Sequence, residues 1–194
     1  MLTTVITSIA AYIGTAVDDL FILTLLFSQA DDLAHRKHVL QGQCLGIAAL
    51  AALSLLAAAG LQLLPPWAVG LMGLIPLALG VREWFRSAKA DEETEEAPAK
   101  AGTLLRVALL ALANGADNIG VYAPLFAGFD LGQKMLCVLL FMVMTVLWCA
   151  LAALIAAQPQ LKTILRRYRR VLVPVVLMLL GLYILLTNLL PLFA

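Results

Sequence analysis

Asp18, Asp19 and Asp117 lie deep inside long apolar runs, the first two in Leu2–Phe27 and the third in Leu104–Phe129. Thr15 stands one helical turn before Asp18, and Asn114 and Asn118 flank Asp117. Carboxylates, carboxamides and a hydroxyl are all oxygen donors, a set that suits a metal cation and, taken alone, favours hard ions such as manganese, calcium or magnesium. A charged group near the centre of a bilayer costs ~2.5–3.5 kcal/mol on the lenient insertion scale, so three unpaired ones would cost ~8–10 kcal/mol. No Lys or Arg lies at comparable depth in the apolar runs to neutralise them. Such carboxylates are therefore protonated or visited by a cation, and a group that does both in turn is what an ion/proton exchanger needs.

The two stretches align without a gap. Thr15-Ala-Val-Asp18-Asp19 runs into Leu26-Phe27, and Asn114-Gly-Ala-Asp117-Asn118 runs into Leu125-Phe126. The matched positions are the polar ones that lipid should exclude. Three apolar segments precede the second copy, and three is odd, so the copies cross the membrane in opposite directions. That is the pattern of an inverted repeat with its site at the midplane. In an unbroken helix Thr15 shares a face with Asp18, and Asn114 shares one with Asp117 and Asn118. Asp19 is turned about 100° from Asp18 and joins them only if the helix unwinds locally. Gly14, Gly115 and Gly120 would permit unwinding, and Pro76, Pro124 and Pro174 can add kinks.

The elements that must position these residues are six apolar segments, each near the roughly 20 residues that a span requires. They fall at Leu2–Phe27, Val39–Leu64, Trp67–Phe85, Leu104–Phe129, Met135–Ala157 and Val171–Phe193. Continuous apolarity without period-two alternation excludes a barrel and leaves helices. The expected fold is thus an all-α integral membrane protein with six transmembrane helices in two inverted three-helix repeats. Residues 1–87 and 103–194 form the repeats, and residues 88–102 form an acidic cytoplasmic linker holding Asp91, Glu92, Glu93, Glu95 and Glu96. The other breaks are Ser28–His38, Pro65–Pro66, Asp130–Lys134 and the basic Gln158–Arg170.

All basic residues except Lys134 fall in or beside three loops on one face. The positive-inside rule puts those loops in the cytoplasm and both termini outside. The first run has no Lys or Arg before it and continues to Phe27, too long for a cleaved leader, so it reads as a span.

Composition agrees. The chain is 63% hydrophobic with mean hydropathy +0.98, against roughly 45–50% apolar residues in a soluble domain. Cys44, Cys137 and Cys149 are scattered through apolar runs with no CxxC, which fits packing and not a zinc cage. Cys137 and Cys149 lie about 120° apart around a helix and cannot pair on one face. His35 and His38, beside Asp31 and Asp32, read either as solvated loop residues or as a cytoplasmic entrance for metal. Lys162–Arg170 satisfies the orientation rule and could also hold anionic headgroups. Gly42 and Gly46 form a GxxxG that could pack helices within the fold or between copies in a homo-oligomer.

The string Ala113-Asn114-Gly115-Ala116-Asp117-Asn118-Ile119-Gly120-Val121-Tyr122, with Thr15–Asp19, Gly42-Gln43-Cys44-Leu45-Gly46 and Gly73-Leu74-Ile75-Pro76-Leu77, closely resembles the CadD-type cadmium resistance transporters. These belong to the wider LysE-type exporter superfamily. Cys44 stands where an aromatic residue is usual. The resemblance spans nearly the whole chain and implies efflux of cadmium, and of zinc, from the bacterial cytoplasm. It also implies a metal site at Asp18, Asp19, Asp117 and Asn118.

The expected function is secondary export of a divalent metal by proton antiport across the bacterial cytoplasmic membrane. The metal site is expected at Asp18, Asp19, Asp117, Asn118, Asn114 and Thr15. The partners are the metal ion, protons and the bilayer, with no nucleic acid and no bound cofactor. The chain has no nucleotide-binding motif, so ATP cannot drive it without a partner. Alternatives are export of manganese or of a cationic amino acid, an intramembrane aspartyl enzyme, and a structural subunit. The enzyme has no use for Asn114 and Asn118 beside Asp117, and the amino-acid exporter lacks a partner for the substrate carboxylate.

Overall fold

The computed structural model of the chain describes residues 1–30, 32–61, 63, 65, 68, 71–89 and 104–189, with the side chains at 18, 83, 86–89, 116–117, 159–170, 172–173 and 189 excepted. Among the described residues the regular structure is α-helix: α1 (Leu2–Ser28), α2 (Leu33–Leu61), α3 (Leu74–Lys89), α4 (Leu104–Asn114), α5 (Ala116–Ala127), α6 (Leu131–Ala156) and α7 (Pro159–Leu189). The unbroken helices α2 and α6 are each long and apolar enough to cross a bilayer, and bent α1 and the pair α4–α5 would each make one further span. Of the six expected spans, these account for four. The expected span Trp67–Phe85 is seen as α3, its first residues lying outside the described ones. The last corresponds to the apolar part of α7, Pro174–Asn188, too short by itself to pass as a full crossing.

The helices are apolar on the outside. Helix α6 buries Cys137, Phe141, Thr145, Cys149, Ala152 and Ile155 while exposing Leu139, Val143, Val146, Leu147 and Leu154. A helix that is hydrophobic all round, with its one hydroxyl turned inward, suits lipid and not water. Cys137 and Cys149 are both buried, in different core clusters, and remain free thiols.

The bent α1 lies along the unbroken α6, and α4 and α5 lie along the unbroken α2. The remaining pair is α3 with α7. That last contact is reciprocal. A Cβ added at Gly80 would sit 2.8 Å from Pro174 O and 2.9 Å from Met178 N, and one added at Gly181 would sit 2.6 Å from both Gly73 O and Leu77 N. Gly181, Pro174 and Met178 each follow Gly80, Gly73 and Leu77 by 101 residues. Both glycines should tolerate alanine badly. Overpacking of this kind costs about 1–3 kcal/mol, so Gly80→Ala and Gly181→Ala should each lower the melting temperature in detergent by similar amounts.

The second helix of each half also starts alike. Asp130 precedes α6 and accepts from Gln133 N at 2.8 Å, while Gln133 Oε1 accepts from Asp130 N at 2.9 Å, a capping box. Asp32 precedes α2 and accepts from His35 N at 2.7 Å. The polar breaks are therefore shorter than the hydropathy suggests, and His35 and His38 lie in the first two turns of α2, not in a loop. The basic segment after Gln158 is likewise helical, correcting the expected loop. Pro159 fits the first turn, and Lys and Arg are good helix formers. The side chains of Lys162–Arg170 lie outside the described residues, as do the acidic linker beyond Lys89, Asp31 and Pro66.

The GxxxG is used within the fold. A Cβ at Gly42 would meet Val107 Cβ at 2.6 Å and Leu104 O at 2.7 Å, and one at Gly46 would meet Ala111 Cβ at 2.5 Å, which seats α2 tightly on α4. Pro76 falls in the first turn of α3, where its missing N–H leaves no gap. Pro124 lies inside α5.

Candidate functional site

The buried apolar side chains divide into two clusters. One holds Ala11, Tyr12, Ala16 and Val17 of α1, Ile47, Leu50 and Ala58 of α2, Val121–Phe129 residues of and after α5, and Cys137 and Phe141 of α6. The other holds Leu20–Phe27 residues of α1, Val39 of α2, Val107 of α4, and Cys149, Ala152 and Ile155 of α6. Along α1, α2 and α6 the boundary falls at polar residues, Asp18 and Asp19 in α1, Gln43 in α2 and Thr145 in α6, and along α4 it falls between Leu110 and Leu112, just before Asn114. A polar layer thus crosses the bundle between two apolar cores.

Both bent segments, α1 and the pair α4–α5, turn in that layer. The axis turns by 57° between Leu2–Val17 and Asp19–Ser28, and by 74° between Leu104–Asn114 and Asn118–Ala127. The corners are Asp18 and the Gly115–Asp117 stretch. Local chemistry explains them. Gly115 sits against Leu50, with no room for a Cβ. Trp148 Nε1 donates to Ala16 O at 2.7 Å, putting a side chain into the α1 hydrogen-bond ladder just before its corner. Thr15 Oγ1 donates back to Ala11 O at 3.0 Å, a contact that itself bends helices.

Asp19 is 5% exposed and Gln43 3%, and Gln43 Nε2 donates to Asp19 Oδ2 at 3.1 Å. Asn118 is 1% exposed, and its Nδ2 has no hydrogen-bond partner among the described residues. A buried amide N–H without a partner costs about 1–3 kcal/mol. Asn114 ends α4 and is exposed. Asn114 and Asn118 therefore do not share one face as an unbroken helix would require, because the chain turns between them. The side chains of Asp18 and Asp117 lie outside the described residues; their backbone positions are at the two bends.

Thr15 is tied differently from expectation. Its hydroxyl hydrogen goes to the α1 backbone, so Tyr122 Oη donates to Thr15 Oγ1, at 2.7 Å. This bond joins α1 to α5 one turn away from both Asp19 and Asn118. Beside it Tyr12 Oη donates to Thr145 Oγ1 at 3.0 Å, and Thr145 donates to Phe141 O at 2.7 Å. Tyr12, Tyr122, Phe126 and Phe141 form a buried ring cluster, with the Tyr122 and Phe141 centroids 4.5 Å apart. Sequence reasoning missed Thr145 and used Gln43 only within a motif. Both are polar residues inside long apolar runs, which is the signal that could have found them.

Residues 12–190 match the cadmium resistance transporter family. The chain belongs to that family. A search of the curated proteins and one of the solved structures found no match. Membership in a transporter family fits helices able to span a bilayer and a polar layer buried between them.

Asp31, one of the four residues at the alternative metal entrance, lies outside the described residues. Among the described residues no three His, Cys, Asp or Glu side chains come together as a metal cluster. His35 Nδ1 instead lies 2.8 Å from Asp32 Oδ1, with the His35 and His38 rings edge to face. The backbone N–H of His35, and then its side chain, hold the Asp32 carboxyl below the usual carboxylate range. A lowered native value means the cap is intact above the ordinary carboxylate range and is lost as pH falls through the lowered one. The His35 amide should accordingly lose its protection from hydrogen exchange at acid pH, and Asp32→Asn should remove that pH dependence.

Proposed function

We propose that this cadmium resistance transporter family member exports cadmium, and zinc, from the bacterial cytoplasm by proton antiport. The coincidence of the two helix bends with the matched aspartates Asp18 and Asp117, inside a buried polar layer, carries this reading. Bent helices free backbone groups at midplane depth, and transporters place their ion sites there. The proposed site takes oxygens from Asp18, Asp19, Asp117 and Asn118, with Asn114 at its rim and Thr15 acting through its bond to Tyr122.

The reading includes six spans in two inverted repeats. Supporting it are the exchange-symmetric packing of α1 on α6 and α4–α5 on α2, the reciprocal Gly80 and Gly181 contacts, and the equivalent aspartate caps. With both termini outside, cytoplasmic metal enters from the basic face. Rocking of the halves then exposes it outside, where protons taken up by the carboxylates displace it.

Flux in proteoliposomes tests this. Cadmium and zinc should move, manganese less and lysine not at all, and dissipating the pH gradient should stop net export. Export that persists without a gradient would overturn the antiport, and manganese movement alone would overturn the substrate.

A further inference from the structure

Gln43 is a carboxamide of α2 buried to 3% exposure and bonded to a carboxylate exposed by only 5%. Its backbone is fixed on both sides. Gly42 before it and Gly46 after it press on α4 too closely for a Cβ, and α2 is an unbroken helix. Gln43 therefore reaches from a rigid platform, seated on one bent span, to the carboxylate of the other. Asp19 directly follows the corner of α1.

We infer that Gln43 is a positioning residue that sets which cation size the site accepts, by holding Asp19 Oδ2. This rests on the transport reading above. A carboxylate can clasp a cation with both oxygens or meet it with one, and larger ions accept the two-oxygen grip more readily than small ones. The N–H of Gln43 occupies Oδ2 and disfavours the two-oxygen grip, so the site is kept suited to the smaller ion. A neutral amide does this without adding a positive charge that would repel the cargo, as Lys or Arg would. Outer partners that orient metal ligands typically contribute 10–100-fold in affinity.

The test is competitive binding of cadmium and zinc to purified protein in detergent, followed by calorimetry, for wild type, Gln43→Leu and Gln43→Ala. Leu45→Ala, an exposed position on the same helix, serves as control. In both Gln43 variants zinc affinity should fall on the order of tenfold, cadmium affinity should fall less, and the cadmium-to-zinc ratio in the flux assay should rise in step. Equal losses for both metals, or no loss, would overturn the inference. Failure of both variants to give a folded, monodisperse protein would also overturn it, since Gln43 would then be a packing residue. Wild-type protein that binds neither metal would sink the transport reading itself, a result distinguishable from unchanged selectivity in the variants.

Discussion

Replacing Asp117 or Asp19 by asparagine should lower cadmium affinity more than 100-fold while leaving the protein at least as stable as the wild type. The two effects separate for a physical reason. A first-contact carboxylate contributes more than the 10–100-fold typical of an outer partner. An ionisable group held near the bilayer centre, by contrast, costs ~2.5–3.5 kcal/mol to insert, and asparagine removes that cost. Residues retained for function commonly lower stability in this way. Calorimetric titration with cadmium and thermal unfolding of the same samples measure both quantities. A structural role for the aspartates would give the reverse: destabilised variants whose folded fraction binds metal normally.

The second large effect is expected at the α2–α4 contact. Gly46→Leu would place its Cβ where Ala111 Cβ lies 2.5 Å away, and Gly42→Leu would press on the Leu104 carbonyl. Neither neighbour is the flexible end of a long side chain, so the helices must separate. Small residues at membrane interfaces exist to let backbones approach, and overpacking a tight contact costs about 1–3 kcal/mol at each position. Separation would also move Gln43 away from Asp19, so flux should fall with stability. The double variant should lose most folded protein, while the oligomeric state of the surviving fraction stays that of the wild type. A change in oligomeric state with an intact fold would mean that the glycines serve contacts between copies.

The helix bends were legible because lipid makes polar residues conspicuous. Asp18 and Asp117 stand out from their apolar runs, Gly115 lies at the second break, and the bend of α1 falls at Asp18, directly before Asp19. Family membership agrees with the motif around Asp117. Other features were illegible for stated reasons. Asn114 and Asn118 looked like neighbours because helical spacing assumes a straight axis. The start of α7 looked like a loop because charge was read as loop, although charge alone does not interrupt a helix. The reciprocal contact of Gly80 and Gly181 left no trace in side-chain identity around it, since Gly73-Leu-Ile-Pro and Pro174-Val-Val-Leu share shape and little else. Thr145 and the Tyr12 and Tyr122 hydroxyls pair across more than a hundred residues, and no local pattern encodes such partners.

The central claim is that the carboxylates at the two helix bends carry the metal. Cadmium flux in proteoliposomes, measured for wild type and Asp117→Asn under the same imposed pH gradient, tests it most directly. Rapid wild-type flux that the substitution abolishes, in a variant that still folds, is the predicted result. Undiminished flux in Asp117→Asn would place the cation path elsewhere in the bundle and contradict the account.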